Sequence, residues 1–195
     1  MDKLHDLLSH EAIPCSPHQL DQLHRFTALL SEWNAIHNLT GAKSDHEVYA
    51  NILDALYPTT FIETPTSLLD VGTGAGFPGL ILGIAYPDTL TVLCEPRNKR
   101  ASFLKYVAME LGLANVVVVK KRVEAYDHTP FGLISSRAVT NTKMLLELTQ
   151  HLQNSATQYL FYKGEQVFSE LDAVDVAINY DIIEKNQRNY LYIKG

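Results

Sequence analysis

The residues best suited to chemistry are an aspartate and a run of alternating glycines at residues 70–79, which read Asp-Val-Gly-Thr-Gly-Ala-Gly-Phe-Pro-Gly. Gly72, Gly74 and Gly76 have no Cβ, so the backbone can turn sharply there and lie against a ligand. Asp70 closes an apolar run two residues before the first glycine, within hydrogen-bonding reach of whatever the loop holds. The pattern predicts a ligand-binding loop between a buried strand and a helix.

Two kinds of ligand fit this loop. The order acid-x-Gly-x-Gly-x-Gly resembles the first motif of the class I S-adenosylmethionine (SAM) methyltransferases, whereas residues 74–79 also match the dinucleotide pattern G-x-G-x-x-G. The Asp70 carboxylate would repel a pyrophosphate and attract a cationic sulfonium with its ammonium group. We therefore expect SAM. The alternatives are an NAD-dependent oxidoreductase, a SAM-binding module without activity, and a glycine-rich turn without ligand.

Three further strand ends carry candidate binding residues, because ligands of open α/β sheets bind beyond the carboxyl ends of the strands. Glu95 follows the second strand, about twenty residues past the loop, where a carboxylate accepts hydrogen bonds from ribose hydroxyls. The backbone amide at Val123 and the side chain of Glu124 could bracket an adenine edge, or Glu124 could cap a helix. Arg137 ends the fourth strand and would clamp a ligand carboxylate or a phosphate, or pair with a neighbouring acid.

The elements that position these residues are predicted from the hydrophobic period. Short β-rich runs alternate with helical stretches after residue 58, which is typical of βαβ units in a mostly parallel sheet. Strands are predicted at 67–71, 89–94, 115–119, 131–136, 157–162, 178–184 and 189–194. Helices are predicted at 79–85, 98–111, 141–152 and 165–176. Only a few polar residues separate the last two strands, which indicates a C-terminal antiparallel hairpin.

The chain is predicted to be an α/β protein with two parts packed as one unit. Residues 1–60 form an N-terminal helical extension, and residues 61–195 form the sheet domain. Ser16-Pro17-His18-Gln19 is a helix start, with serine at the N-cap, proline at the first helical position and glutamine as the capping-box partner. Apolar residues then follow at helical spacing up to Trp33.

Charge and composition limit the possible partners. The 195 residues carry a net charge of −6, but residues 97–143 hold nine basic and three acidic side chains, a local excess of +6. A basic segment between acidic flanks can bind phosphates, so RNA contact through residues 97–143 is predicted. We expect a cytoplasmic protein, because no signal peptide or membrane-spanning run is present and the two cysteines suggest no disulfide framework. The eight histidines lack metal-site spacing, so no metal is expected.

At this point the residues resemble one family over nearly the whole chain, the small-subunit ribosomal RNA methyltransferase G or GidB family. Residues 33–40 look like its W-N-x-x-x-N-L-T signature, and residues 70–79 match its glycine loop, including the Phe-Pro-Gly ending. Further matching segments are Ile52-Leu53-Asp54, Lys99-Arg100 with Phe103-Leu104, Arg122-Val123-Glu124, Ser136-Arg137-Ala138 and Lys163-Gly164. Ala50-Asn51 departs from the family, which usually carries Arg-His there, and this departure puts a possible RNA contact in doubt.

The resemblance implies a class I, Rossmann-like SAM methyltransferase fold and methyl transfer to guanine N7 in the 16S RNA of the small ribosomal subunit. It implies that Gly72, Phe77, Val123, Glu124 and Arg137 contact SAM. Guanine N7 has an unshared pair and no proton, so we expect no catalytic base and a site that acts by positioning. Arg137 and Lys163 would anchor charged groups. No helix shows a sustained heptad seam, so a monomer is expected.

Overall fold

A computed structural model of the chain describes residues 2–174 and 177–195. Its seven strands form one sheet. In chain order they are β1 (Ser67–Val71), β2 (Leu90–Cys94), β3 (Val116–Val119), β4 (Leu133–Arg137), β5 (Gln158–Lys163), β6 (Asn179–Lys185) and β7 (Arg188–Lys194). Every strand lies within two residues of its predicted bounds, because each apolar run is closed by a glycine, a proline or a polar turn.

The α-helices of the described residues lie before and between the strands. They are α1 (Lys3–His10), α2 (Pro17–His37), α3 (Asp45–Leu56), α4 (Gly79–Ala85), α5 (Asn98–Glu110), α6 (Thr142–Thr149) and α7 (Val167–Asp172). The helix predicted at 141–152 is α6 followed by a 3-10 turn at Gln150–Leu152. The helix predicted at 165–176 is shorter, and residues 175 and 176 of that prediction lie outside the described residues.

The strand order is β3-β2-β1-β4-β5-β7-β6. The pairs from β3 to β5 are parallel, whereas β7 runs antiparallel to both β5 and β6. The prediction of a mostly parallel sheet ending in an antiparallel hairpin is confirmed. The chain order reverses between β1 and β4, which opens a crevice at the carboxyl ends of these two strands, and ligands bind at such a crevice.

The N-terminal helices share their core with one face of the sheet domain. Ser16 and Gln19 form the predicted reciprocal capping box at the start of α2. Trp33 of α2 packs against Phe103 and Tyr106 of α5, with ring centroids 5.5 and 5.6 Å apart. Buried side chains of α1, α2 and α3 join those of α4 and α5 in one hydrophobic cluster. The extension therefore packs directly beside the helix that follows the glycine loop.

Candidate active site

Asp70 lies at the end of β1 and is completely buried. Its Oδ2 accepts hydrogen bonds from the Thr73 hydroxyl at 2.7 Å and the Gly79 amide at 2.9 Å, and its Oδ1 accepts one from the Ser135 hydroxyl at 2.7 Å. Burial raises the pKa of Asp70 to about 6, although these hydrogen bonds oppose the rise. The sequence suggested a direct bond from Asp70 to the ligand. The structure instead turns the carboxylate inward, so it shapes the loop from below.

The glycine loop leaves β1 with three left-handed residues, as the alternating glycines predict. The φ angles of Gly72, Gly74 and Gly76 are +70°, +63° and +109°, a region that favours glycine. A Cβ added at Gly74 would meet no atom nearer than 3.9 Å, so this part of the loop exposes bare backbone. A Cβ at Gly72 would instead come within 2.5 Å of Val139. The loop thus has one open face, at Gly74.

Glu95 follows β2 and reaches back to this loop. Its Oε2 accepts a hydrogen bond from the Gly74 amide at 3.0 Å, and its Oε1 accepts one from the Arg97 amide at 2.8 Å. The side chain is only 2% exposed. Glu95 therefore orders the loop from the neighbouring strand, a role that sequence reasoning missed. Its bond to a ribose stays a prediction.

Val123 and Glu124 lie in a 3-10 turn (Val123–Ala125) after β3, at the same edge of the sheet. Val123 is buried, whereas Glu124 is exposed. Within the part of the chain that the structure describes, no hydrogen bond or ion pair engages the Glu124 carboxylate, and no side chain caps this turn. The helix-capping alternative for Glu124 is therefore wrong. Its carboxylate is available to a ligand at this edge.

Arg137 ends β4 beside the glycine loop. Its guanidinium carbon lies 5.0 Å from the centroid of the Phe77 ring. Its Nη1 donates to Asn51 Oδ1 at 2.9 Å and to Asp54 Oδ2 at 3.0 Å. Both partners belong to α3. The acid pair that the sequence left open as an alternative is therefore present, and it fixes the guanidinium next to the loop.

Lys163 ends β5, the next strand along. Its Nζ donates to Glu170 Oε2 at 2.7 Å and to the Thr140 carbonyl at 3.0 Å. Glu170 also accepts from the amide and the hydroxyl of Thr142 at the start of α6. The predicted anchor thus ties α7 to α6 instead of pointing an unpaired ammonium at a ligand. Its anchoring of substrate stays a prediction.

A cavity of about 790 Å³ opens beside these strand ends. It is lined by the segment after β4 at residues 138–141, by the end of β5 and by Gln187 and Arg188 of the C-terminal hairpin. Because Val139 of this lining lies against Gly72 of the glycine loop, a ligand on the loop and a second molecule in the cavity would be neighbours. A cavity of this volume accommodates a nucleobase with its sugar.

The described residues contain neither a metal-binding cluster nor a membrane-spanning helix. Between residues 2 and 174 and between 177 and 195, no cluster of His, Cys, Asp and Glu is arranged to hold a metal ion. Across the same ranges, no helix combines the length and the apolar character needed to cross a membrane.

The sheet order, the reversed strand β7 and the glycine loop at the crossover define the class I, Rossmann-like methyltransferase fold. Solved structures agree. A methyltransferase from Geobacter sulfurreducens superposes with a TM-score of 0.66 at 11% identity, over 100% of this chain and 98% of that chain. A ribosomal protein L11 methylase from Lactobacillus delbrueckii subsp. bulgaricus gives 0.58 at 15% identity, over 78% of this chain and 80% of that chain.

The sequence itself places the chain within one family. The model of the GidB family, rRNA small subunit methyltransferase G, matches residues 19–192. A ribosomal RNA small subunit methyltransferase G from Aliarcobacter butzleri is 52% identical over 170 residues, which are 87% of each chain. One from Wolinella succinogenes is 47% identical over 195 residues, which are 100% of each chain. The chain belongs to the GidB family, and the predicted family resemblance is confirmed.

Proposed function

We propose that this chain is a SAM-dependent methyltransferase that methylates guanine N7 in the 16S RNA of the small ribosomal subunit. The observation that carries this proposal is the 47% identity to the Wolinella succinogenes methyltransferase from end to end. The glycine loop lies at the ligand-binding crevice of the sheet and keeps an open backbone face. Family membership also decides against the NAD-dependent oxidoreductase.

The residues at the crevice fit SAM. The open face at Gly74 gives close access to the backbone, and the free Glu124 carboxylate suits a ligand with exocyclic amines. We assign SAM to a set of residues from four strand ends: Gly72, Gly74, Gly76, Phe77, Glu95, Val123, Glu124 and Arg137, with Asp70 supporting the loop from below. SAM supplies an electrophilic methyl group on its sulfonium.

The reaction needs no proton transfer from the acceptor. The unshared pair of guanine N7 forms the new N–C bond, the C–S bond breaks, and its electron pair stays on sulfur as a neutral thioether. Asp70 and Glu95 are both buried and engaged by backbone or hydroxyl donors, so neither is placed to act as a base. The site therefore acts by holding donor and acceptor in line. We assign no catalytic residue, and Arg137 and Lys163 act as anchors.

We expect Arg137→Ala to weaken SAM binding by roughly tenfold or more, because it removes a charge-assisted contact beside the loop and leaves the Asn51 carbonyl unpaired. Titration calorimetry with SAM and the rate of methyl transfer measure the change. Arg25→Ala is the control, because Arg25 is an exposed arginine of α2 whose one hydrogen bond within the described residues goes to the Glu110 carbonyl. Unchanged affinity and activity in Arg137→Ala would remove Arg137 from the proposed site.

The proposed RNA-binding surface lies at the same edge of the sheet. Five exposed cationic residues follow β2 and β3, and we call them the basic rim: Arg97, Lys99, Lys120, Lys121 and Arg122. The Lys120 ammonium donates to Asn98 Oδ1 at 3.1 Å, which brings the two segments together. None of the five has an ion-pair partner within the described ranges. Unpaired cations beside the crevice suit RNA phosphates.

We expect Lys120→Gln/Lys121→Gln to weaken rRNA binding and to reduce the slope of log affinity against log salt by about one to two, because each lost phosphate contact releases fewer counterions. Filter binding at four salt concentrations measures the slope. Lys3→Gln/Lys43→Gln makes the same change in net charge on exposed side chains of the N-terminal extension. Equal slopes in both double variants would show that the basic rim does not contact RNA.

The decisive experiment is methyl transfer from labelled SAM to small subunits from cells that lack this protein, followed by mapping of the modified base. Incorporation at one guanine N7 of 16S RNA supports the proposal. SAM binding without incorporation would support the non-catalytic module instead. Equilibrium dialysis compares the binding of NAD with that of SAM, and preferential binding of NAD would favour the oxidoreductase.

Because its substrate is ribosomal RNA, we place the protein in the cytoplasm. We also propose that it is a monomer in which the 1–60 extension and the 61–195 domain form one unit.

A further inference from the structure

One carboxylate of the N-terminal extension lies between two arginines of the sheet domain. Asp54 of α3 accepts from Arg188 at both oxygens, with Nε at 2.8 Å from Oδ1 and Nη2 at 3.0 Å from Oδ2. Its Oδ2 also accepts from Arg137 Nη1 at 3.0 Å. The Tyr190 hydroxyl donates to Oδ1 at 3.0 Å. The Asp54 and Arg137 side chains are each 17% exposed. The geometry is that of a bidentate pair with a second cation on one oxygen.

The two arginines lie on different sides of the site. Arg137 lies over the Phe77 ring of the glycine loop, where we place SAM. Arg188 lines the cavity of about 790 Å³, where a nucleotide fits. Its Nη1 also donates to the Lys163 carbonyl at 3.3 Å. A single carboxylate therefore fixes one cation beside the proposed donor and another beside the proposed acceptor.

Without this carboxylate the two guanidinium groups would repel each other, and both would lose their shared acceptor. Asn51, one turn earlier on α3, accepts from Arg137 and donates to the Glu47 carbonyl, and within the described residues it has no hydrogen bond with Arg188. Its effect would reach only the donor side. The extension thus supplies Asp54 as an acceptor for both arginines and Asn51 as a second acceptor for Arg137.

We propose that Asp54 is the positioning residue of the methyl-transfer site, setting Arg137 toward SAM and Arg188 toward the RNA nucleotide. This inference rests on the proposed function. Asp54 touches neither reacting molecule and acts through the two arginines. The N-terminal extension is then part of the active site as well as a cover for the sheet.

Asp54→Asn tests the proposal, because asparagine keeps the volume and one acceptor but loses the charge. We expect the SAM dissociation constant to rise about tenfold and KM for small subunits to rise as well, with a lower kcat. A double-mutant cycle separates positioning from general damage. In an Arg137→Gln background, Asp54→Asn should change SAM affinity by less than about twofold, because the group through which it acts is gone. An equal effect in both backgrounds would overturn the proposal.

Two further variants keep the test decisive. Glu11→Gln is the matched control, because Glu11 and Lys185 also form an ion pair between extension and hairpin, and among the described residues neither of them bonds Arg137 or Arg188. If Glu11→Gln reproduces the Asp54→Asn effect, the Asp54 carboxylate merely holds the N-terminal extension against the C-terminal hairpin, and the proposal fails. Should Asp54→Asn not fold, Asp54→Glu replaces it, because glutamate keeps the charge but its longer side chain displaces both oxygens from the two arginines. Unchanged SAM affinity and an unchanged KM for small subunits in Asp54→Glu would then overturn the proposal.

Failure of this inference differs from failure of the proposed function. If wild-type protein transfers no methyl group to small subunits, the proposed function fails, and the SAM titrations of the variants still test the donor side. If wild-type protein is active, and Asp54→Asn matches it in SAM affinity, in KM for SAM and in KM for small subunits, only the positioning role of Asp54 fails.

Discussion

Gly79→Ala is expected to destabilise the protein by about 3 kcal/mol or more and to abolish SAM binding. A Cβ at residue 79 would lie 2.4 Å from Asp70 Cβ and 2.5 Å from Asp70 Oδ2. Alanine at the start of α4 would otherwise gain up to about 1 kcal/mol of helix propensity. The overlap outweighs that gain, because Asp70 lies within β1 and is paired on both sides, so it cannot withdraw. Urea unfolding and SAM titration measure the two effects.

Gly41→Ala is the matched control for this substitution. A Cβ at Gly41 would meet nothing within 4 Å, so its stability should stay within about 0.5 kcal/mol of wild type. If Gly79→Ala were as stable as Gly41→Ala, the close packing of α4 on the end of β1 would be disproved. The inward orientation of Asp70 would then lose its main support.

The sequence predicts the loop well because its signal is local. An apolar run, a closing acid and three glycines within ten residues specify a strand, a left-handed turn and a helix start without reference to the rest of the chain. The left-handed φ angles at Gly72, Gly74 and Gly76 follow directly. The strand bounds follow for the same reason, since each buried run of a parallel sheet reads as a short apolar segment.

The orientation of the site side chains depends on residues far away in sequence. Asp70 lies opposite Ser135 in the β1–β4 register and bonds its hydroxyl across 65 residues of chain. Arg137 donates a hydrogen bond to Asp54, which lies 83 residues earlier in the chain on α3 of the extension. No local pattern contains these pairs, because they arise when α3 packs on the sheet. The sequence offered an acid on α3 close to its buried positions Ile52 and Ala55, and a family match at Ile52-Leu53-Asp54, but neither names Arg137 as the partner.

The second large effect concerns the pH dependence of stability. Burial raises the pKa of Asp70 from its usual 3.8 to about 6, so between these pH values the folded protein holds a proton that the unfolded chain has released. Stability contributed by Asp70 is therefore highest in acid and falls as the pH rises through this window, by about 3 kcal/mol in total. About half of that fall lies between pH 5 and pH 7.5.

Asp70→Asn removes this titration while preserving the shape of the side chain. Its carbonyl can accept from Thr73 and Gly79, and its amide can donate to the Ser135 hydroxyl, which also accepts hydrogen bonds. We expect the variant to gain about 1.5 kcal/mol relative to wild type between pH 5 and pH 7.5, measured by urea unfolding at both pH values. Parallel pH profiles for the two proteins would contradict this account.

Ser135→Ala is expected to raise the pKa of Asp70 further. It removes one of the hydrogen bonds that oppose the rise in the Asp70 pKa, so the fall in stability should move to higher pH than in wild type. A shift to lower pH would mean that the hydroxyl does not stabilise the ionised carboxylate.

Because the same carboxylate holds the Gly79 amide at the start of α4, protonation of Asp70 weakens the bond that closes the glycine loop. SAM affinity measured across this pH range should therefore decline in acid for wild type and stay flat for Asp70→Asn.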